Sequence, residues 1–466
     1  KEYSPMRSRS GLILPESLRQ PSRRSLLQLG GLGLGAGFLA ACSGPSVGSS
    51  DGGGNAETAA ETDWSTTEPA EQITFMSLQQ GTELEQELVA EFTAETGIVI
   101  NHISGGGSYE ELAQNFRASA GTGEQPDVAQ ASDVFWFQYL TSGNTIPVDR
   151  LLEHLEVEVD DFQEALYGDY EFEGQHWAVP YGRSTPMFYY NKAVWEAAGL
   201  PDRGPDTWTE FQEWSPQIQS VLPADGAAMG WSAPGPSNTA WTGQSIMWAH
   251  DAAFSHEWAW SLDTDEALWV GNFYRDAFHG PDAWSKVAVD PAAEFAAGLY
   301  GAITGSTGGI VSYREMLPTL GVAFMPGGTI PADAPRVPTG GNGLTISAPT
   351  PEKQLAGGML LRHLTTPENS ARWAVSTGYM PTRKAAIETE TMQAAIAEVP
   401  DRQLPIDQLA ITKVQDYARA LLPGGDLLIS EHFERIILSG EDAEPVFADL
   451  TNELQRAFEQ NVEPHL

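Results

Sequence analysis

The sequence predicts an α/β protein built from two lobes, and three observations support this prediction. The chain of 466 residues is longer than the size at which a single hydrophobic core usually stops growing. Short apolar runs alternate with amphipathic helical segments, an order that favours parallel strands joined by helical crossovers. Hydrophobic residues make up 41% of the chain and aromatic residues 10%, enough to fill sizeable cores.

The alternation is clearest at the start of the body, from residue 73 onward. Apolar runs typical of strands are separated by helical patterns in which apolar residues recur every three or four positions. The order is strand 73–78, helix 82–97, strand 98–103, helix 109–118 and strand 127–132. This order predicts a parallel sheet with helical crossovers.

Three helix starts carry a capping box, in which a Ser or Thr precedes a Glu by three positions and each side chain serves the other's backbone amide. The pairs are Thr82 with Glu85, Ser108 with Glu111, and Thr207 with Glu210. In the second half, helical patterns are less regular. They cover 291–300, 351–365, 367–377, 411–422 and 443–460.

The first 41 residues are typical of a bacterial export signal. Arg23 and Arg24 precede an uncharged apolar run over 26–41, which ends in the motif LAAC at Cys42. LAAC resembles a lipobox, so residues 1–41 are expected to be a twin-arginine lipoprotein signal peptide and Cys42 the lipidated residue. The alternative is an ordinary signal peptide with an incidental cysteine. Cys42 is the chain's only cysteine, which excludes an internal disulfide.

Residues 42–71 are rich in Gly, Ser, Thr and Glu and contain few apolar residues, a composition that predicts a flexible tether. With Cys42 lipidated, the protein is expected to be exported and anchored to the outer face of the cytoplasmic membrane.

The charge balance disfavours nucleic acid as a partner. Residues 1–41 hold six of the 25 basic and two of the 63 acidic residues, which leaves 19 basic and 61 acidic residues and a net charge of −42. Nucleic-acid binding relies on Lys and Arg to neutralise phosphates. A surface of this charge mainly indicates high solubility.

Motifs of enzymes and metal sites are sparse. From residue 72 onward the sequence has no G-x-S-x-G and no H-E-x-x-H pattern, and its nine histidines are scattered. We therefore expect no enzyme activity, no cofactor and no metal. The many carboxylates leave one alternative open, a surface-tethered glycosidase or esterase, because a catalytic carboxylate pair has no fixed spacing in sequence.

Four stretches resemble the family 1 extracellular solute-binding proteins of ABC importers, and among them the members that bind glycerol-3-phosphate. They are GGGSYEELAQNFRASAGTGEQPDV from residue 105, STPMFYYNKAVWEAAGLP from 184, GAITGSTGGIVSYREM from 301 and TTPENSARWAVSTGYMPTRKAA from 365. The resemblance implies a two-lobe, type II periplasmic-binding-protein fold with a ligand cleft between lobes joined by crossing strands. In it, the Ser-Thr-Pro of 184–186 lies at the mouth of the cleft, and Pro186 stiffens the crossing.

The resemblance also implies a division of the chain between the lobes. The first lobe is expected to contain residues 72–182 and 300–345, and the second lobe residues 183–299 and 346–466. Tyr189 and Tyr190 are expected to run along the sheet of the second lobe on opposite faces, one toward the core and one toward the cleft.

Nine ligand contacts are implied residue by residue, with an Asp where the family has a Glu. They are Tyr109, Asp133, Ser184, Trp241, Ser306, Thr307, Gly341 (or its neighbour Gly340), Tyr379 and Arg419. The structural alternative is that the tyrosine packs, the serine caps a turn and the glycines only form turns.

The implied function is capture of glycerol-3-phosphate or a glycerophosphodiester for import through a membrane permease, by a monomer. Under this hypothesis Arg419, Ser184 and the loop 306–309 hold the phosphate, since guanidinium groups match phosphate oxygens. The alternative ligand is a neutral mono- or oligosaccharide. It would stack on tryptophans, for which the candidates are Trp241, Trp248, Trp258 and Trp260.

Overall fold

A computed structural model describes residues 62–234 and 238–466. The predicted signal peptide, Cys42 and the first twenty residues of the expected tether lie outside these residues. The described part contains two five-stranded mixed sheets, each flanked by helices, together with three two-stranded ribbons. We call the parts built on the two large sheets the first and the second lobe.

The strands are numbered in chain order. They are β1 (Gln72–Ser77), β2 (Val99–Ser104), β3 (Val128–Ser132), β4 (Glu171–Phe172), β5 (Gln175–His176), β6 (Val179–Ser184), β7 (Pro186–Asn191), β8 (Ala227–Ser232), β9 (Ser255–His256), β10 (Ala259–Trp260), β11 (Ser285–Ala288), β12 (Tyr300–Ser306), β13 (Leu320–Ala323), β14 (Val337–Pro338), β15 (Gly340–Ile346) and β16 (Thr412–Lys413).

The α-helices follow the same rule. They are α1 (Glu83–Thr96), α2 (Tyr109–Ser119), α3 (Trp136–Thr141), α4 (Asp149–His154), α5 (Glu164–Gly168), α6 (Lys192–Ala198), α7 (Trp208–Val221), α8 (Thr239–Ala249), α9 (Asp265–His279), α10 (Pro291–Ala296), α11 (Ile310–Met316), α12 (Pro351–Leu364), α13 (Pro367–Thr377), α14 (Glu390–Glu398), α15 (Gln403–Gln408), α16 (Tyr417–Ala420), α17 (Gly425–Ser439) and α18 (Ala443–Asn461). Short 3-10 helices cover Trp64–Thr66, Val159–Asp161, Thr307–Gly309, Ala385–Glu388, Pro400–Arg402, Leu409–Ile411 and Glu463–His465.

The first sheet confirms the predicted parallel crossovers. Its strand order is β2-β1-β3-β15-β6, with β1 parallel to β2 and β3, while β15 runs antiparallel to β3 and β6. Successive β1 side chains enter cores on opposite faces: Phe75 joins the core that contains Leu88 of α1, and Met76 joins the core that contains Phe116 of α2. This two-residue alternation is the pattern of a strand covered on both faces.

The second sheet has the order β11-β8-β12-β7-β13. In β7 the side chains of Tyr189 and Tyr190 lie on opposite faces, as predicted, and both are buried. The prediction that one of the two tyrosines faces the cleft is wrong, because both rings are covered by neighbouring side chains. The Tyr190 hydroxyl donates to Asp202 over 2.9 Å and the Tyr189 hydroxyl to the backbone oxygen of Ser306 over 2.8 Å.

The Ser-Thr-Pro segment is the crossing between the lobes. Strand β6 ends in the first sheet at Ser184, and β7 begins in the second sheet at Pro186. Thr185 is therefore the single residue between the two sheets, and Pro186 fixes the backbone where the second strand starts. Residues 324–339 cross back, from β13 of the second sheet to β15 of the first.

The expected division of the second half of the chain needs correction. Strands β12 and β13, in 300–345, hydrogen-bond to β7 in the second sheet. Helices α12 and α13, in 346–466, pack in the core of the first lobe through residues such as Leu360 and Trp373. The polypeptide returns to the first lobe at β15 and leaves it after α13, an order that helical periodicity cannot show.

The expected tether is shorter at its C-terminal end than predicted. Trp64 is 4% exposed and belongs to the hydrophobic core of the first lobe. The Ala70 amide also donates to the backbone oxygen of Glu352 over 3.0 Å. Residues 62–71 are thus part of the folded body, because one tryptophan supplies enough apolar surface to hold a polar segment.

The Ser or Thr half of each predicted capping box is present, whereas the carboxylates of Glu111 and Glu210 accept from the amides of Gly107 and Asp206 instead of from the cap amides. The hydroxyls of Thr82, Ser108 and Thr207 accept from the amides of Glu85, Glu111 and Glu210, at 3.4, 3.2 and 3.1 Å. The helix predicted over 411–422 is wrong. Residues 412–413 pair with β14 as β16, and within the segment only Tyr417–Ala420 is α-helical.

In the described part of the chain, no helix combines the length and the apolar character needed to span a bilayer.

Candidate functional site

Three of the predicted contacts lie together where strands of the first sheet end at the crossing. Ser184 closes β6 and is paired in register with Gly340 of β15. Asp133 directly follows β3, and its amide donates to the backbone oxygen of Gly341 over 3.0 Å. Gly341 has φ +94°, and a Cβ there would lie 2.0 Å from the Gly182 oxygen, so the close approach of these strands requires glycine.

A pair of tyrosines lies beside these strand ends. The hydroxyls of Tyr109 and Tyr379 are 3.5 Å apart, and the Asn342 side-chain amide donates to the Tyr109 hydroxyl over 3.0 Å. Tyr109 opens helix α2 just after its cap Ser108, while Tyr379 follows the end of α13. Burial raises the pKa of both hydroxyls, so they remain neutral hydrogen-bonding groups.

The second lobe contributes the loop 306–309 to the same place. The Ser306 hydroxyl accepts from the Gly308 amide over 3.1 Å, and the Thr307 amide donates to the Thr185 oxygen at the crossing over 3.1 Å. A Cβ on Gly308 would lie 3.3 Å from the Tyr379 ring, so this loop and that tyrosine are in contact. The buried Thr307 hydroxyl has no hydrogen-bond partner in the described structure.

Trp241 of helix α8 lies against the same glycines. Its indole NH donates to the backbone oxygen of Thr339 over 2.7 Å, and its ring occupies the space that a Cβ on Gly340 would need. Trp241 and Ser306 both line a cavity of about 440 Å³ in the second lobe. The family contact expected at Trp241 therefore lies at the cleft.

The other tryptophans considered for sugar stacking have packing roles. Trp248 is buried and donates to Asp416 over 3.0 Å, with the Lys413 ammonium 4.0 Å from its ring. Trp258 and Trp260 pack against Phe458 of the last helix. Of these four tryptophans, only Trp241 is placed to contact a solute in the cleft.

Arg419 lies in a buried ion-pair network instead of presenting a free guanidinium. Its Nη1 is 3.1 Å from Asp133, its Nε is 2.8 Å from Asp426, and Gln415 also accepts from it. The side chain is 2% exposed. Arg419 was expected to be the main phosphate partner. In the structure two carboxylates already balance the charge of its guanidinium group.

A second buried ion pair lies next to the first. Arg183 pairs with Asp169 and donates to the Tyr170 hydroxyl over 2.7 Å. Burial raises the pKa of Asp169 to about 6, although Arg183 acts in the opposite direction. Gln415 joins the two pairs, because its side-chain amide donates to Asp133 over 2.9 Å and to Asp169 over 3.2 Å.

The structure thus brings all nine predicted contacts to the region of the crossing, while sequence reasoning missed four residues that hold them in place. These are Asn342, Gln415, Arg183 and Asp169. No local pattern marks them, since their partners are distant in the chain. Arg183 directly precedes the predicted contact Ser184, and Asn342 directly follows Gly341.

The structure has several cavities with different lining residues. The cavity at Trp241 and Ser306 lies in the second lobe, and another of about 370 Å³ lies between Glu110, Val134 and Asp426. A larger cleft of about 1030 Å³ lies beside Lys384 and is lined by none of the nine predicted contacts. Among the described residues, no group of three or more His, Cys, Asp or Glu is arranged to hold a metal ion.

Comparison with known proteins agrees with this geometry. Residues 87–400 match the model of the bacterial extracellular solute-binding protein family. The sn-glycerol-3-phosphate-binding periplasmic protein UgpB of Escherichia coli K12 is 23% identical over 374 residues, which cover 76% of this chain and 85% of that protein.

Solved structures show the same fold. The crystal structure of UgpB from Mycobacterium tuberculosis in complex with glycerophosphocholine superposes with a TM-score of 0.79 at 38% identity, covering 84% of this chain and 99% of that one. The cyclic alpha-maltosyl-1,6-maltose binding protein of Arthrobacter globiformis superposes with a TM-score of 0.70 at 18% identity, over 84% and 100% of the two chains.

These matches confirm the predicted family and the two-lobe α/β fold. Such proteins bind solutes and are not enzymes, so the alternative of a tethered glycosidase or esterase is wrong. The match covers more than half of the chain and includes the crossing and most of the residues around it. The chain belongs to the bacterial extracellular solute-binding proteins and is a substrate-binding protein of an ABC transporter.

Proposed function

We propose that this protein captures a glycerophosphodiester, or glycerol-3-phosphate, and delivers it to a membrane permease for import. The observation that carries the proposal is the convergence of hydroxyl, amide and carboxylate groups from both lobes at the crossing, around Tyr109, Asp133, Ser306 and Tyr379. The M. tuberculosis relative that was crystallised with glycerophosphocholine is 38% identical over most of both chains, which supports the same ligand class.

Different parts of such a ligand suit different groups of the site. The buried Thr307 hydroxyl has no hydrogen-bond partner among the described residues, and together with the Ser184 hydroxyl it offers neutral donors for phosphate oxygens. The Asp133 carboxylate and the Tyr109 hydroxyl offer acceptors for glycerol hydroxyls. We assign to Arg419 the role of holding Asp133 in position, together with a favourable long-range charge toward the phosphate.

The local charge favours a diester over the monoester. The network around Asp133 contains two guanidinium groups and three carboxylates, on Arg183, Arg419, Asp133, Asp169 and Asp426. A phosphate monoester carries nearly two negative charges at pH 7, as its second pKa is about 6, whereas a diester carries one. In a network with an excess carboxylate, the ligand of lower negative charge meets less repulsion.

Ligand capture and delivery are coupled through the two lobes. Contacts from both lobes are made together only when the cleft is closed around the solute, so binding shifts the population toward the closed state. We expect the permease to recognise that state. Small-angle scattering checks this step: saturating ligand reduces the radius of gyration, and an unchanged radius removes the closure mechanism.

Calorimetric titration tests the ligand class. Glycerophosphocholine, glycerol-3-phosphate and maltose are titrated separately into the protein lacking residues 1–41, and the proposal expects binding in that order of decreasing affinity. A thermal-shift screen gives an independent readout, since ligand at 100 times its Kd adds about 2.7 kcal/mol of stability. If only maltose binds, the phosphate assignment fails, and a neutral sugar stacked on Trp241 takes its place.

We also propose that the protein is a lipoprotein anchored through Cys42 after export by the twin-arginine route. The support is the sequence pattern at Arg23, Arg24 and Cys42. Cys42→Ala is expected to release the protein from the membrane while ligand binding stays unchanged. Continued membrane association of this variant contradicts the anchor, and undiminished export after Arg23→Lys with Arg24→Lys contradicts the route.

A further inference from the structure

The cavity of about 440 Å³ in the second lobe differs in chemistry from the rest of the site. Its lining includes Trp241, Asp290, Thr304, Ser306 and Tyr313; we call it the Trp241–Asp290 cavity. It continues from two predicted ligand contacts, Trp241 and Ser306, away from the crossing. A ligand held at the crossing therefore has room to extend into it.

The lining of this cavity carries one negative charge and no positive one. Among the described residues that line it, Asp290 is the only charged residue, and none is Lys, Arg or His. Arg314, next to Tyr313 in sequence, pairs instead with Asp401 over 2.7 Å. An anionic group placed here would meet a carboxylate with no compensating cation.

The Asp290 carboxylate is available to a ligand on one side. Its Oδ1 accepts from the Ala293 amide over 3.1 Å and caps helix α10, while no hydrogen bond to its Oδ2 is formed among the described residues. The Tyr313 ring lines the same cavity as the Asp290 carboxylate. Burial raises the pKa of Tyr313, and the charge of Asp290 raises it further. Two aromatic rings and a carboxylate are the groups that hold ammonium ions in proteins.

The lining of the 370 Å³ cavity contains both negative and positive side chains. The negative ones are Glu110 and Asp426, the positive one is Arg117, and Asp426 is already paired with Arg419. A cation gains less there, because the carboxylates of that cavity have positive neighbours. A cationic group is therefore favoured in the Trp241–Asp290 cavity more than in the 370 Å³ cavity.

We propose that the Trp241–Asp290 cavity takes the alcohol group of a glycerophosphodiester and favours alcohols that carry an ammonium charge, such as choline or ethanolamine. This inference rests on the proposed function and assigns the head-group side of the same ligand. The glycerol and the phosphate then lie at the crossing, and the head group lies between the aromatic rings with its charge toward Asp290.

The test compares two diesters that share the glycerophosphate part. Glycerophosphocholine carries a cationic head group and glycerophosphoglycerol a neutral one, and both are titrated by calorimetry into wild type and Asp290→Asn. Asparagine caps helices as well as aspartate does, so the variant keeps the fold of α10. We expect Asp290→Asn to weaken glycerophosphocholine by about two- to five-fold, as for a partly exposed charge pair, and to leave glycerophosphoglycerol unchanged.

Asp282→Asn is the matched control. It makes the same charge change at an exposed position before β11, whereas Asp290 follows that strand. It is expected to change neither affinity. If Asp290→Asn affects both diesters equally or neither, the head-group assignment is overturned while the proposed function stands; if wild type binds no glycerophosphodiester, both fall together.

Discussion

Arg419 and Asp133 form a buried ion pair across 286 positions of sequence, with Nη1 3.1 Å from Oδ2. Asp426 lies on the other side of the same guanidinium at 2.8 Å. The arginine therefore joins the end of a first-lobe strand to the first turn of helix α17. Its importance for the site is structural as well as electrostatic.

Arg419→Ala is expected to lower the free energy of unfolding of the ligand-free protein by about 3–5 kcal/mol. Removing one partner of a buried pair leaves the other charges uncompensated, and here two carboxylates lose their counterion. Chemical denaturation without ligand measures this loss. Loss of ligand affinity in the same variant would then include the displacement of Asp133.

Arg435→Ala is the control for this prediction. Arg435 also pairs with two carboxylates, on Glu441 and Asp449, but its side chain is 35% exposed. Solvent screens such pairs, so we expect a loss below about 1 kcal/mol. Equal effects of the two substitutions would show that burial of the Arg419 network does not matter.

Tyr109→Phe and Tyr379→Phe are each expected to weaken ligand binding by about two- to ten-fold. Each substitution removes one neutral hydroxyl at the cleft, and one hydrogen bond is worth about 0.5–1.5 kcal/mol. Calorimetric titration with glycerophosphocholine measures the effect.

Tyr139→Phe is the control for these two substitutions, because it removes a buried hydroxyl that does not lie at the cleft. Tyr139 is fully buried in the first lobe, and its hydroxyl has no hydrogen-bond partner in the described structure. This substitution is expected to leave affinity unchanged and to keep or raise stability. If both cleft variants bind like wild type, the tyrosine pair only packs.

Much of the first lobe follows from local sequence. Capping boxes and apolar periodicity predicted the strands and helices from β1 to β3, because these signals depend on residues three or four positions apart. The Ser-Thr-Pro crossing was predicted from the resemblance to the family 1 solute-binding proteins and not from local pattern. The assignment of β12 and β13 to the second sheet was not predictable, as strand partners are chosen by tertiary packing.

The segment 411–422 shows why the site itself was only partly predictable. Its periodicity is helical, yet Asp416 accepts hydrogen bonds from Trp248 and from the Phe254 amide, and Thr412 pairs with Val337. These contacts outweigh a helix propensity worth only tenths of a kcal/mol per residue. The positions of Gln415 and Arg419, and hence the partners of Asp133, depend on that irregular backbone.

Gly341→Ala is expected to destabilise the protein far more than a positive φ alone, which costs roughly 1–2 kcal/mol. A Cβ at this position would lie 2.0 Å from the Gly182 oxygen, so the paired strands at the crossing must separate. Asp133 would move with them, since its amide is bonded to the Gly341 oxygen. Thermal unfolding and glycerophosphocholine titration measure the two consequences.

Gly121→Ala gives the cost of the backbone conformation by itself. Gly121 has φ +71° and no atom within 4 Å of a built Cβ, so its substitution adds strain without a clash. Comparable stability of the two variants would contradict the close-approach explanation for Gly341.

Asp416 is expected to give a stability contribution that decreases with rising pH. Burial raises its pKa from 3.8 to about 6, despite the hydrogen bonds from Phe254 and Trp248 and the charge of Lys413. Because the folded state holds this proton more tightly than the unfolded state, the contribution is fully present below about pH 4 and is lost as pH rises to about 6.

Asp416→Asn removes this pH dependence of the stability. At about 1.4 kcal/mol per pKa unit, the stability of the variant relative to wild type should rise by on the order of 2–3 kcal/mol between pH 4 and pH 7. Urea denaturation of both proteins across that range measures the difference, with Glu210→Gln as a control of opposite sign, since Arg203 lowers the pKa of Glu210. A difference between Asp416→Asn and wild type that stays constant with pH would mean that Asp416 titrates normally in the folded protein.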